Sequence, residues 1–488
     1  VSAAPPLPAN VADVIALHAR RSPAAVAVVE GDRSWDYASF DLAIWRAAAA
    51  LRAQGIAPGD RVGVRLPSTA LHLVTGYALA RMGALQASIP ERDAGGGGRA
   101  ESARRIVAQI DDDDVKASWL EPGDAPRDAD LRAGGGDMPW KVVTTSGTTS
   151  APKAVLQTHR MHLAWRAINQ AAMPVTGDFR YLSVIPLEFF ASFRLCMDVH
   201  WGGGTVILAG SAATPEDFIA LVERTAANYL YLTPLHLQQL LPSLVEERPR
   251  LPGLRRLRTG SMTVPEDLRR VIARRLTSQL AVAYGTNEVG SPLAFAAGAT
   301  LIEHPGSVGF AAPGVELRIV DDAGNTLPPG QTGHVAARMA CMPDHYEDNP
   351  SASARAFREG WYYPGDLGEL SPAGALYLKG RADDLMNFDG IKIYPAEIET
   401  VLLGHPAVAE AAAFPLPSDK HQDIPAAAVV ARAQVTATEL FTYCRDRLGP
   451  RTPRRIAVLE SLPRNAAGKV LKSELARTTA PLREKPRG

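Results

Sequence analysis

Between Thr144 and Ala154 the chain reads TTSGTTSAPKA, with six hydroxyl side chains around Gly147, followed by Lys153. Hydroxyls and backbone N–H groups crowded onto a tight turn can wrap phosphate oxygens, and a lysine beside them adds a point charge. The chemistry such a loop supports is the binding of a phosphate chain. It is not the loop of the P-loop NTPases, because no GxxxxGK[ST] pattern occurs in the chain. Taken alone, such a pattern is more often an ordinary surface loop. The three cysteines, Cys196, Cys341 and Cys444, are far apart and offer neither metal-ligand nor redox spacing.

The elements that must carry this loop are legible as periodicity. The valine pair Val142–Val143 leads into it as a strand, and an apolar, histidine-bearing segment leaves it. Upstream, residues 40–55 predict an Ala-rich helix stopped at Gly55, residues 60–67 a strand and residues 72–84 a second helix. This alternation predicts an α/β fold with mainly parallel sheets. Residues 91–137, rich in glycine and charge, predict surface connections around one helix and one strand, and residues 230–241 and 279–285 predict strand-to-loop transitions. Turn signals every eight to twelve residues across 305–380 predict a small β-subdomain. Helix and strand alternate again after GRADDLMNFDG. The expected organisation is a large N-terminal domain, residues 1–382, and a small α+β domain, residues 383–488.

Bulk properties narrow the class. Lys plus Arg and Asp plus Glu both number 52, so no global field favours nucleic acid, although 269–275 and 445–455 are locally basic. With 46% hydrophobic and 21% charged residues the composition is globular. No apolar run reaches the ~20 residues needed to span a bilayer. The N-terminal segment has no basic-then-apolar leader pattern, so the expectation is a reduced, cytoplasmic protein.

Five segments in order resemble the adenylate-forming superfamily of acyl- and aryl-CoA synthetases, nonribosomal peptide synthetase adenylation domains and luciferases. SGTTSAPKA (146–154) resembles its phosphate loop, AYGTNEVG (283–290) its YGxTE element and GWYYPGDLGEL (360–370) its YxTGD element. GRADDLMNFDGIKIYPAEIE (380–399) resembles the hinge segment, and LPRNAAGKVLKSEL (462–475) the lysine motif. The likeness spans nearly the whole chain and implies ATP- and Mg²⁺-dependent conversion of a carboxylic acid to acyl-AMP, then transfer to a nucleophile. It implies that Ser146, Gly147, Thr148, Thr149 and Lys153 cradle the phosphates, with Asn287 donating to the α-phosphate and Glu288 holding Mg²⁺. Gly260, Ser261, Met262, Tyr284 and Gly285 would form the adenine and acyl side, Asp366 would accept from the ribose hydroxyls, and Arg381 would reach ribose or phosphate. Lys469 would contact the carboxylate and α-phosphate, Asp383 would be the hinge, and Gly390 and Lys392 would line a pantetheine channel.

The chain departs from the family pattern at Ser150, Ala154, Asn287 and Pro364, yet no departure removes a charge that the chemistry needs. Where amino-acid-activating relatives carry an aspartate for the substrate ammonium, this chain has Phe190, which disfavours an α-amino acid. Phe189, Phe190, Phe193 and Met262, with Gly285, predict an apolar acyl pocket for an aromatic, alicyclic or fatty acid, or else are plain core. Glu188 and Arg194 stand nearby for a polar substituent. The sequence stops soon after the lysine motif, so a free-standing ligase is expected, as monomer or homodimer. Its acceptor would be CoA, the phosphopantetheine of a separate carrier protein, or an amine. The non-enzyme alternative is a degenerate nucleotide- or acyl-binding protein.

Overall fold

The computed structural model describes residues 8–89, 106–128, 131–145, 153–210, 212–418, 421–464 and 470–479. Its centre is a nine-stranded sheet. Strands Leu280–Tyr284, Arg256–Gly260, Tyr229–Tyr231, Arg180–Ser183, Thr205–Leu208 and Val26–Glu30 lie side by side and parallel. Antiparallel strands close both edges, Ala294–Ala297 with Phe310–Ala311 on one side and Arg33–Asp36 on the other. A second sheet runs Ala108–Ile110, Arg61–Val64, Leu85–Ser88, Pro139–Thr145, Lys153–Thr158 and is parallel except at its last pair. The expected α/β class with parallel-rich sheets is therefore what the chain forms.

Helix Ala70–Met82, with every residue except Leu71 buried, is near-continuously apolar because both its faces are covered. Gly83 ends it in the left-handed conformation, φ 80°. Trp140, Trp165, Tyr37, Tyr77 and Tyr181 are fully enclosed, each contributing about 2–3 kcal/mol of burial.

Residues 315–381 form the six-stranded antiparallel sheet expected of a β-subdomain. Residues 386–459 contribute a five-stranded sheet in which strand Gln422–Ala431 pairs with Val408–Ser418 and Arg455–Leu459, packed by helices Pro395–Leu403 and Ala437–Leu448.

Two local expectations are corrected. Residues 230–241 are a strand followed not by a loop but by helix Pro234–Leu240. Thr233 caps it, accepting from the His236 N–H while the His236 ring receives the Thr233 N–H, and Pro234 occupies the first helical position, where its missing N–H costs nothing. Glycines 134–136, expected in a surface connection, are close-packed at their start. A Cβ on Gly134 would lie 2.3 Å from the Ala80 carbonyl oxygen, and Asn10 Nδ2 donates to both Ala80 O and Gly134 O at 2.8 Å. Of the remainder of 91–137, a strand at Ala108–Ile110 and a short 3₁₀ turn at Ala117–Leu120 that buries Trp119 are described.

Candidate active site

The site is built where parallel strands end. Strands Arg256–Gly260 and Leu280–Tyr284 finish together with Gly260 opposite Ala283, and the carboxyl ends of such strands are where open α/β sheets bind ligands. Gly260 is required by space, since a Cβ would lie 2.5 Å from the Ala283 carbonyl oxygen. Ser261 follows in the left-handed region, φ 69°, with its hydroxyl 2.6 Å from Tyr231 Oη. Ser261, Gly285 and Asn287 are exposed and Met262 is half-buried.

Asp366 is the hub of one cluster. It opens strand Asp366–Leu370, directly across from Arg381 at the end of Leu376–Arg381. Tyr284 Oη donates to Asp366 Oδ2 at 2.6 Å and Arg381 Nη1 to Oδ1 at 3.2 Å. Arg381 also donates to the Pro364 carbonyl and lies 3.9 Å from the Asp383 carboxylate. Burial, then the Asp366 charge, holds the Tyr284 phenol well above its ordinary range, so it stays a donor.

Glu288 is the hub of a second. It is buried, and Tyr346 Oη donates to its Oε1 at 2.9 Å. The Tyr346 phenol is raised by burial and by Glu288. Lys153 Nζ lies 5.2 Å from the centroid of the same Tyr346 ring. The backbone carrying Asn287 and Glu288 is held by Gln157, whose Nε2 donates to Asn287 O at 2.8 Å and Glu288 O at 3.2 Å. His162 Nε2 in turn donates to Gln157 Oε1 at 2.8 Å. Thr286 Oγ1 is 3.1 Å from Tyr362 Oη.

Ser146, Gly147, Thr148 and Thr149 lie outside the described residues, as do Ser150 and Lys469. The strands on either side of the loop are described, and they pair Thr145 with Lys153. Ala154 sits in this ladder and accepts from the Glu347 N–H at 2.8 Å. Both Glu347 carboxylate oxygens receive Arg61, at 2.7 and 3.0 Å, in a pair that is 8% and 11% exposed. Lys472 points to Glu399 at 3.0 Å and Asp384 at 3.5 Å, which marks it as a cross-link within the C-terminal part. Asp383, Gly390 and Lys392 are exposed, Asp383 in the turn Ala382–Asp384.

The three phenylalanines divide. Phe189 is half-buried and precedes helix Phe190–Trp201. Phe190 meets His162 edge-on at 5.7 Å and lies 3.4 Å from where a Cβ on Gly290 would be. Phe193 is wholly enclosed among Tyr77, His72 and Trp140. Sequence reasoning missed Tyr231, Gln157, His162 and Tyr346, none of which sits in a recognisable motif.

Glu288 offers a single carboxylate, and no group of three or more metal-ligating side chains exists among the described residues. This donor set fits a Mg²⁺ carried largely by substrate phosphates.

Residues 15–92 and 93–346 match the family model described as AMP-binding enzyme, and residues 397–469 match the model of the AMP-binding enzyme C-terminal domain. The chain belongs to the AMP-binding enzyme family. Among its relatives a feruloyl-CoA synthase from Amycolatopsis is 29% identical over 94% of this chain and 97% of the relative. An indoleacetate–CoA ligase from Aromatoleum aromaticum is 30% identical over 95% and 97%. The structure of o-succinylbenzoate CoA synthetase from Bacillus subtilis with its acyl-adenylate intermediate superposes with TM-score 0.83 at 26% identity, covering 96% of this chain and 98% of that one. The resemblance to adenylate-forming enzymes is thus established for this AMP-binding enzyme, and among its described residues no helix is long and apolar enough to cross a membrane.

Proposed function

We propose that this chain is an ATP- and Mg²⁺-dependent acid–thiol ligase. It joins a carboxylic acid with an apolar body to AMP, releasing pyrophosphate, and then transfers the acyl group to the thiol of CoA. The observation that carries this reading is the meeting of the Asp366–Tyr284–Arg381 cluster and the Glu288–Tyr346–Lys153 cluster at the carboxyl ends of parallel strands. Asp366 accepts from ribose hydroxyls while Arg381 and Tyr284 fix its orientation. Lys153 and the loop Ser146–Thr149 neutralise the leaving phosphates, and Asn287 donates to the α-phosphate. Glu288 would hold Mg²⁺, which when bound supplies charge neutralisation on the phosphates.

The proposed division is residues 1–382 and 383–488, with Asp383 as the hinge. Lys469, on the second part, would stabilise the carboxylate and α-phosphate during adenylation. Gly390 and Lys392 would line the thiol's channel in the second step. A cytoplasmic location accords with the use of ATP and CoA.

The likeness to an amide bond synthetase from Marinactinospora thermotolerans, TM-score 0.79 at 25% identity, favours a second reading with an amine acceptor. Loading of a carrier protein is the third. Pyrophosphate release with a panel of acids tests the first step, and mass spectrometry of products formed with CoA, carrier proteins and amines tests the second. Lys469→Ala is expected to abolish acyl-AMP formation and to spare thioester formation from supplied acyl-AMP. Both half-reactions surviving intact removes Lys469 from the mechanism. ATP binding with no pyrophosphate release for any acid identifies a binding protein instead.

A further inference from the structure

Helix Phe190–Trp201 carries Arg194 and Asp198 one and two turns below Phe190, on the same face. Arg194 Nη1 is 3.5 Å from Asp198 Oδ2, and Arg166 Nε is 2.5 Å from Asp198 Oδ1. Arg258 lies on strand Arg256–Gly260 two residues before Gly260, so both face the same side, and it is in register with Tyr231. Arg166 and Arg258 are 1% and 4% exposed, and the Arg194 side chain is 11% exposed.

Two guanidinium groups, Arg166 and Arg194, therefore share the Asp198 carboxylate, and the Arg258 guanidinium lies close enough to act on both. Asp198 is the only carboxylate within ion-pair distance of Arg166 and Arg194 among the described residues. Arg258 Nε is buried without a hydrogen-bond partner, and Arg194 Nη1 has only its 3.5 Å ion pair with Asp198. Burial first, and then the charge of Arg258, pushes the Arg194 guanidinium down to about 10. Arginine does not escape such a place by losing its proton, and a buried charge without a counter-charge is strongly destabilising. Arg256, next but one along the strand, adds a further positive charge, its guanidinium donating only to the carbonyls of Met173 and Pro174. Arg166, Arg194 and Arg258 against Asp198 leave an excess of two positive charges enclosed in the interior, with the half-buried Arg256 at its edge.

The position of this excess is informative. Arg166 Nη2 donates to Gly290 O at 2.8 Å and Nη1 to Arg194 O at 3.4 Å, so the cluster lies directly behind Gly290 and the first turn of the helix. Gly290 faces Phe190, and Tyr231 joins Arg258 to Ser261 at the strand end. Of the residues expected to line the acyl pocket, Phe190 sits directly over this cluster, one turn from Arg194 and against Gly290.

We propose that the acid activated here carries an anionic group, most simply a second carboxylate, at the end remote from the reacting carboxyl, and that Arg194 and Arg258 receive it. This rests on the acid-activating reading above. The relatives do not decide it, because ferulate and indoleacetate carry one carboxylate and 2-succinylbenzoate carries two.

The test is pyrophosphate release with matched acids on the full-length protein: 3-phenylpropanoate against 3-(4-carboxyphenyl)propanoate and its far-end methyl ester, and octanoate against octanedioate. The expected result is a kcat/KM for the diacids at least about 100-fold above their monoacid or ester partners, since a site with unpaired buried polar groups rejects a ligand that leaves them unpaired. Arg258→Met should erase most of that preference, through KM for the diacids. As a readout independent of turnover, the diacid alone should raise the melting temperature of the wild-type protein and not that of Arg258→Met; Arg194→Gln provides the same comparison should Arg258→Met not fold. Monoacids used as well as diacids, or a diacid preference untouched by both variants, overturns the inference and leaves the ligase reading standing. No release with any acid overturns the ligase reading itself.

Discussion

Lys141 sets up a quantitative prediction. It lies on the strand that leads into the phosphate loop, 1% exposed, in register between Gln86 and Gln157 on the neighbouring strands. Its ammonium touches Ser88 Oγ at 3.1 Å and faces the Phe193 ring at 5.1 Å. Burial pulls it from the ordinary lysine value of 10.5 to about 7. Between these values the unfolded chain binds more protons than the folded one, so this group makes stability rise with pH across that window. The penalty it imposes on folding is about 4 kcal/mol at pH 7.5 and about 1.5 kcal/mol at pH 9.5, from the two-pKa linkage relation. Lys141→Met removes the charge and keeps a flexible side chain of similar length, at the loss of the Ser88 and ring contacts, which are worth about 1–2 kcal/mol. The variant should therefore gain about 2–3 kcal/mol at pH 7.5 and close to nothing at pH 9.5. Urea unfolding followed by tryptophan fluorescence is suited to it, because all seven tryptophans lie between residues 35 and 361 and report on the part that contains Lys141. A variant less stable than wild type at pH 7.5, or a gain that persists undiminished at pH 9.5, refutes the reasoning.

Two further perturbations act on the site and its frame. Asp366→Asn keeps an acceptor for Tyr284 but removes the charge; KM for ATP in pyrophosphate release should rise about 10–100-fold, reflecting a lost charge-assisted hydrogen bond, and an unaltered KM removes Asp366 from nucleotide binding. Arg61→Met removes the guanidinium that bridges both Glu347 oxygens and should lower stability in urea unfolding, with the double variant Arg61→Met, Glu347→Gln recovering part of the loss; a single variant as stable as wild type contradicts that account.

What is legible in the sequence follows from how local the determinants are. Asp366 and Arg381 are named from the sequence only because GWYYPGDLGEL and GRADD resemble family elements; the structure adds that a hairpin brings the two together across fifteen positions. Tyr284 and Glu288 are named through the resemblance of AYGTNEVG to a family element, which falls at a strand end. Tyr346 and Gln157 are not, because they reach Glu288 and its backbone from 58 and 131 positions away, and no short-range pattern encodes such a meeting. Helix Pro234–Leu240 is hidden because histidine, rather than glutamate, completes its capping box. Gly134 misleads for a physical reason: glycine signals either an open turn or a place without room for a side chain, and composition does not separate the two. The arginine cluster is half visible, as Arg194 and Asp198 four apart on a helix, but Arg166 and Arg258 come from other elements.

The pairing of Arg61 with Glu347 carries a consequence for biosynthesis. The guanidinium leaves the ribosome 286 residues before the carboxylate that neutralises it, an interval of about 15–60 s at ordinary elongation rates. The second sheet, with Arg61 on one strand and Ala154 on another, cannot reach its final state while its partner is still untranslated. During that interval the nascent chain holds a second sheet that lacks the Glu347 contacts to Arg61 and Ala154, so chaperone dependence during synthesis should be greatest before residue 347 emerges and fall after it.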